Sequence, residues 1–272
     1  MWWFQQGLCW LPAALVVWST TAFVLSYSLA VLLGHTDPLL PYISDTGIQV
    51  PERCVFGFML SIASFLGAAT VYVRYKQVQT LTSPSEHVLH ILNALGVLLG
   101  FLSCCGMCVI ANFQKTDLIG VHLFGAGLTF AAGALYILVQ TGVSYRMQPR
   151  FHGKGILWGR TLVGLWSLVS ILTLFVSSVI MYDEEPEVVL AAKVRWLSTE
   201  AGYVAHLVSA AAEWSLAFSF IAFFLTYIRD FQKLRLRVQA ILQCNHLYNY
   251  AHYDGRVHVH HGERSPLLAG SI

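Results

Sequence analysis

The residues best suited to chemistry in this sequence are a carboxylate and two imidazoles embedded in apolar stretches. Glu213 lies deep within the last apolar stretch of the chain, and His206 precedes it by seven residues, which is two helical turns. His122 lies at a similar depth in an earlier stretch, and Asn112 ends the stretch before that one. We therefore predict that these four side chains form a polar cluster within a membrane domain.

Two interpretations of Glu213 follow from its position. A charged and unpaired carboxylate inside a bilayer costs several kcal/mol, so such residues are functional candidates by default. In the first interpretation, protonation of the histidines changes the packing of the cluster in an acidic compartment. In the second, a neutral Glu213 forms a hydrogen bond to a neighbouring helix and serves only assembly.

The sequence carries no signature of known intramembrane catalysis. It has no His-Glu-x-x-His helix, no paired intramembrane aspartates and no glycine loop for phosphate. Gly142-Val-Ser144 is a poor match to a serine nucleophile turn, and Cys105-Gly-Met-Cys108 is more typical of small packing residues than of a metal or redox pair. We therefore predict a protein without enzymatic activity, cofactor or metal.

The elements that must position the cluster are membrane-spanning helices. Apolar residues make up 56% of the chain and charged residues 11%, against about a quarter charged in soluble domains. A helix crosses a bilayer with about 20 apolar residues. The sequence predicts an all-α polytopic bundle in a lipid bilayer, without a nucleic-acid partner. Its six predicted spans cover about 11–33, 54–73, 88–113, 118–143, 161–181 and 203–228.

Positive residues between the spans predict the orientation, because Lys and Arg are retained on the cytosolic side of short loops. Twelve follow the even-numbered spans, and four lie in the other connections. We therefore expect both termini in the cytosol. The twelve are Arg74, Lys76, Arg146, Arg150, Lys154, Arg160, Arg229, Lys233, Arg235, Arg237, Arg256 and Arg264.

The segment that follows span six, 229–272, is predicted to be a cytosolic tail. Arg229, Lys233 and Arg237 are spaced for one helix face, which is typical either of a basic helix on an anionic membrane surface or of an extension of span six. Near the end, Glu263 lies four positions before Leu267 and Leu268. This spacing has the form of a dileucine signal read by clathrin adaptors, and it favours endosomes and lysosomes.

Several long, ordered segments resemble the damage-regulated autophagy modulator family of six-span lysosomal membrane proteins. The resemblance implies a multi-pass lysosomal protein, with passage through endosomes or the plasma membrane, that promotes autophagosome formation or its coupling to lysosomes. It also implies autophagy-initiation proteins as partners, and it supplies no catalytic residues. The segments are Met1–Leu8, Leu40–Gly47, Tyr72–Val78, Ala111–Lys115, Ala211–Ser215 and Phe224–Lys233.

One alternative function depends on the polar cluster. Glu213, His206 and His122 are the groups that a transporter, a channel or a lipid-moving protein would use inside the bilayer. The sequence lacks the paired broken helices that mark many secondary transport sites. We expect Glu213→Gln to distinguish the functional from the structural interpretation.

Overall fold

The structure, a computed structural model, describes residues 7–149, 151, 153–184 and 193–235, and these residues are helical without strands. Six helical segments are long and apolar enough to cross a membrane, which confirms the predicted all-α polytopic fold. A 3₁₀ turn, Ser44–Gly47, lies in the first loop, and a π-helical segment, Leu128–Ala132, joins α4 to α5. The helices are α1 (Trp10–Leu32), α2 (Glu52–Leu81), α3 (His87–Asn112), α4 (Ile119–Gly127), α5 (Gly133–Arg146), α6 (Lys154–Glu184), α7 (Tyr203–Leu225) and α8 (Tyr227–Phe231).

Two helices are longer than the apolar stretches from which they were predicted. α2 continues eight residues beyond Val73, and α6 begins seven residues before Thr161. A helix of 30 residues is about 45 Å long, which exceeds the roughly 30 Å hydrocarbon core. Both extensions contain an arginine, and the apolar stretch stops one residue short of that arginine because hydropathy falls there.

The six spans pack as a closed bundle. α1 contacts α2 and α7, α2 contacts α3, α3 contacts the α4–α5 span, and α6 runs along α7. Close approach depends on small residues: a Cβ on Gly106 of α3 would lie 2.6 Å from the backbone oxygen of Gly125 and the backbone nitrogen of Thr129. The fourth span is therefore seated on α3 by direct backbone contact.

The predicted Gly96-to-Gly100 pair faces inward. A Cβ on Gly96 would meet the Gln140 side chain, and one on Gly100 would meet Val71 and Tyr136. The pair thus serves packing inside the bundle.

The fourth and fifth spans separate at one end. α5 packs against α6, whereas α4 diverges from it, so the lower halves of the two spans touch and the upper halves enclose a cleft. The π-helical segment Leu128–Ala132 lies where the separation begins, and such irregularities are frequent at functional sites.

The two ends of the bundle are named here by what they carry. The first-loop end holds residues 33–51, and the Arg74 end holds the residues near Arg74 together with the start and finish of the bundle. At the Arg74 end, the Leu8 amide donates to the Phe231 carbonyl at 3.0 Å. Contacts divide the chain after Leu234, so the predicted tail lies outside the described residues beyond Arg235.

Candidate functional site

The first loop docks onto one face of α7 through its backbone. The Ile43 amide donates to Glu213 Oε2 at 3.0 Å, and the Trp214 indole donates to the Pro41 carbonyl at 2.8 Å. The loop thus enters the bundle as far as the middle of span six. Glu213 is buried and receives its hydrogen bond from the loop backbone.

Tyr42 extends the docking along the same helix. Its hydroxyl donates to Ser209 Oγ at 2.7 Å, and Ser209 precedes Glu213 by one helical turn. Burial raises the pKa of Tyr42 above its ordinary value of about 10, so the hydroxyl remains a donor at physiological pH. Residues 41–43 therefore fix the loop through two backbone contacts and one side-chain contact.

His206 lies in an aromatic stack beside Tyr42. The Trp196 ring stacks on it at 4.6 Å between centroids with planes 11° apart, and the Tyr42 ring meets it edge-on at 4.9 Å. Its Nδ1 is buried and has no hydrogen-bond partner among the described residues. The structure places His206 next to the docked loop, held mainly by ring contacts.

A buried ion pair closes the chamber under the loop. Lys115 Nζ lies 2.5 Å from Asp45 Oδ1, and the two side chains are 12% and 1% exposed. The same ammonium donates to the Lys193 carbonyl at 3.2 Å and lies 5.7 Å from the centre of the Tyr42 ring. Because buried charges require partners, this pair stabilises the loop where it meets the end of α3 and the segment before α7.

His122 is fixed through one of its two ring nitrogens. Nδ1 lies 2.7 Å from the Phe113 carbonyl oxygen, which can only accept, so Nδ1 carries the proton. Nε2 of the neutral ring is then an acceptor, and it has no partner among the described residues. The imidazole therefore presents a lone pair rather than a donor to its surroundings.

Glu213 and His122 line the same two cavities. One is the cleft between α4 and α6, with a volume of about 350 Å³, and the other is a smaller cavity of about 100 Å³ inside the bundle. Both side chains belong to the wall that the two cavities share, together with Ser44, Ala126 and Phe130. The structure thus brings two of the four predicted residues together.

Asn112 takes a different position. It is exposed, and its amide donates to the Cys108 carbonyl at 2.8 Å and to Ser61 Oγ at 3.3 Å. It therefore bridges α3 to α2 and does not line either cavity.

The predicted basic stripe is described only at its start. Arg229 on α8 and Lys233 just beyond it are both exposed and lie four residues apart, and α8 ends at Phe231. Arg237, Glu263, Leu267 and Leu268 lie outside the described residues.

A second buried polar site lies at the Arg74 end, and sequence reasoning missed it. Arg160 Nη2 lies 2.6 Å from Asp230 Oδ2, and Arg74 Nη1 lies 3.4 Å from the same oxygen. Both arginine side chains have no exposed surface, and that of Asp230 is 6% exposed. Both arginines had been assigned to loops, but they lie within α2 and α6.

Neutral groups complete the surroundings of the two guanidinium groups. Arg74 donates to Gln77 and to Gln140, at 2.7 and 3.2 Å. Arg160 donates to Ser144 Oγ at 2.6 Å and to Thr226 Oγ1 at 3.0 Å. Five or six rigid donors from an arginine need several acceptors, and four spans supply them here.

The aromatic side chains of the same site cover the arginines. The Tyr227 ring lies 4.9 Å from the Arg160 guanidinium carbon and 5.3 Å from that of Arg74, and the Tyr227 hydroxyl bonds that of Tyr136 at 2.8 Å. We call Arg74, Arg160, Asp230 and Tyr227 the arginine cluster. The lone acidic residue in the basic segment after span six was the signal in the sequence that could have indicated it.

Comparison with known proteins identifies the family. The Frag1/DRAM/Sfk1/Cwh43P N-terminal domain matches residues 7–234, which includes both buried sites. The chain belongs to this family. The resemblance drawn from the sequence segments is therefore confirmed.

Relatives within the family share most of the chain. The human DNA damage-regulated autophagy modulator protein 2 is 51% identical over 272 residues and covers all of both chains. The human DNA damage-regulated autophagy modulator protein 1 is 40% identical over 86% of this chain and 95% of its own. The Xenopus laevis modulator of macroautophagy TMEM150B-A is 31% identical over 53% of this chain and 61% of its own. No solved structure matches this family member.

Proposed function

We propose that this protein regulates autophagy from the lysosomal membrane, by promoting autophagosome formation or its coupling to lysosomes. The observation that carries the proposal is the 51% identity, over both full lengths, to a human protein named as an autophagy modulator. Two shorter matches bear names of the same kind. The proposed role is non-enzymatic and acts through autophagy-initiation proteins on the cytosolic face.

The experiment for this role is a measurement of autophagic flux. In knockout cells, we expect the lipidated marker of autophagosomes to accumulate less during lysosomal inhibition than in parental cells, and re-expression should restore it. Unchanged flux with and without the inhibitor in the knockout would reject the proposal.

Lysosomal residence is tested separately. We propose that Glu263, Leu267 and Leu268 form a dileucine signal bound by clathrin adaptors. Replacement of both leucines by alanine should move the protein to the plasma membrane, while Ile272→Ala, beyond the motif, should leave it on lysosomes. Lysosomal residence of the double variant equal to that of the control would reject the sorting proposal and leave the flux result standing.

A second candidate function is transport of an ion, a proton or a lipid. It is favoured by one observation, that Glu213 and His122 both line the cleft and the interior cavity. Purified protein in liposomes should then show flux that Glu213→Gln abolishes. Autophagic flux restored fully by Glu213→Gln, with normal trafficking, would reject a functional role of this carboxylate.

A further inference from the structure

The cleft between α4 and α6 has the form of a binding site for one lipid. Its walls are apolar over most of their length, with Leu123 and Phe130 on one helix and Leu174 and Phe175 on the other. Its closed side carries Glu213 and His122, which are 8% and 6% exposed. A long apolar groove with a few convergent polar groups at one end is the usual form of a site for an amphiphile.

The dimensions fit one acyl chain. From Ile119 to Ala131 the cleft follows the fourth span for 12 residues, which is about 18 Å at ~1.5 Å per residue. That length is close to one leaflet, half of the roughly 30 Å hydrocarbon core. Below the cleft α5 closes on α6, so a helix that crosses the whole bilayer could not lie along it.

The polar end selects the ligand by its hydrogen-bond donors. His122 Nε2 is an acceptor, because Nδ1 is committed to the Phe113 carbonyl. Glu213 Oε2 accepts from Ile43, and its Oε1 has no partner among the described residues. The ester groups of a diacyl glycerophospholipid have no donors, whereas the amide and hydroxyl groups of a sphingoid lipid have both an N–H and an O–H.

We propose that the cleft between α4 and α6 binds a sphingoid lipid, such as ceramide. One chain lies between the two helices, and the amide and hydroxyl donate to His122 and Glu213. This binding site is independent of the autophagy proposal, because it is defined by purified protein and lipid alone.

Three substitutions test the site without dismantling it. Gly127 lines the cleft, and a Cβ there would meet nothing within 4 Å, so Gly127→Leu fills the groove without a clash. Gly142 in α5 has equally open surroundings and does not line the cleft, which makes Gly142→Leu the matched control. His122→Asn keeps a donor for the Phe113 carbonyl and removes the Nε2 acceptor.

The experiment uses the full chain in phosphatidylcholine nanodiscs with a trace of photoreactive ceramide. A parallel sample contains phosphatidylcholine with the same photoreactive chain. We expect ceramide to label α4 and α6 by peptide mapping. Gly127→Leu should reduce this labelling at least tenfold and Gly142→Leu should leave it unchanged. His122→Asn should weaken ceramide binding about three- to tenfold, the loss of one hydrogen bond, without changing phosphatidylcholine labelling.

Two results would overturn the proposal. If Gly127→Leu and Gly142→Leu are labelled as strongly as the wild type, ceramide contacts the outer surface and not the cleft. If phosphatidylcholine labels the cleft as strongly as ceramide, and His122→Asn affects neither lipid, the donor-selective part is wrong. Thermal unfolding of each variant in the same nanodiscs confirms that the fold is retained.

Discussion

The bundle contains two buried polar sites, one at each end, and they are satisfied in opposite ways. In the arginine cluster, side chains from four spans bond one another, and both guanidinium groups have no exposed surface. At the first-loop end, the loop backbone supplies much of the bonding, and Glu213 and His122 each keep an acceptor at a cavity. The first arrangement holds helices together, and the second leaves capacity for a ligand.

The difference follows from the chemistry of the residues. Arginine is always charged and has many donors in a fixed plane, so a buried arginine requires a dense set of acceptors that tolerates little change. A carboxylate or an imidazole can be held through one atom while the other faces a cavity. Substitutions at the two ends should therefore differ in whether stability or ligand binding changes first.

The largest effect is expected at the arginine cluster. Asp230→Asn removes the carboxylate that two buried arginines share, at 2.6 and 3.4 Å. Loss of one partner from a buried ion pair costs about 3–5 kcal/mol. We expect a large fall in the thermal unfolding midpoint of the detergent-purified protein, and a low yield of monodisperse protein.

The control for Asp230→Asn is an exposed ion pair of the same type. Asp117 lies 2.7 Å from Arg53, and the two side chains are 50% and 39% exposed. Asp117→Asn should cost only about 0.2–1 kcal/mol, because water already solvates both charges. Equal unfolding midpoints for the two variants would mean that the arginine cluster is not structural.

An intermediate effect is expected where the fourth span is seated on α3. Gly106→Ala places a methyl group 2.6 Å from the Gly125 carbonyl oxygen and the Thr129 amide nitrogen, and backbone cannot move aside as a side chain does. Overpacking of this kind costs about 1–3 kcal/mol. It should also change ceramide labelling of the cleft, since Thr129 lies in the π-helical segment at its base.

Gly142→Ala is the control for the packing prediction. Its Cβ would meet nothing within 4 Å, and alanine favours a helix interior by about 0.5–1 kcal/mol over glycine. The unfolding midpoint should therefore stay or rise. A fall equal to that of Gly106→Ala would show that the close contact with the fourth span does not limit stability.

A smaller effect distinguishes the structural and functional interpretations of Glu213. Glu213→Gln retains an oxygen for the Ile43 amide, so stability should change by less than about 1 kcal/mol. Glu213→Leu leaves that amide without an acceptor and should cost about 1–3 kcal/mol. If only the leucine variant loses autophagic flux, the carboxylate serves loop docking, and its charge has no further role.

These sites show which parts of the structure the sequence could predict. The spans and the position of Glu213 followed from hydropathy, because a lone carboxylate in an apolar stretch is conspicuous. Arg74 and Arg160 did not, since each stands at the end of an apolar stretch and looks like a loop charge until Asp230 is seen beside it. The docking of Ile43 on Glu213 joins residues 170 apart through a backbone amide, and no side-chain pattern reports such a contact.

The smallest effect concerns the segment that enters the chamber ahead of α7. Lys193 Nζ lies 3.0 Å from Glu200 Oε2 and 3.8 Å from the centre of the Trp196 ring, and that ring stacks on His206. The hydrogen bond from Lys193, followed by that from the Leu197 amide, holds the pKa of Glu200 below its ordinary value of about 4.3. A lowered carboxyl pKa means that the stabilisation is complete above the ordinary value and is lost as pH falls through the lowered one.

The contact from Glu200 should therefore persist throughout the mildly acidic range and fail only at lower pH. We expect the tryptophan fluorescence of the wild type to stay constant from pH 7 to about pH 5 and to change below about pH 4. Glu200→Gln should remove that change, because no carboxyl group remains to titrate. A transition between pH 5 and 7 in both proteins would assign the response to a histidine, and the first-loop end would then be the pH-sensitive one of the two sites.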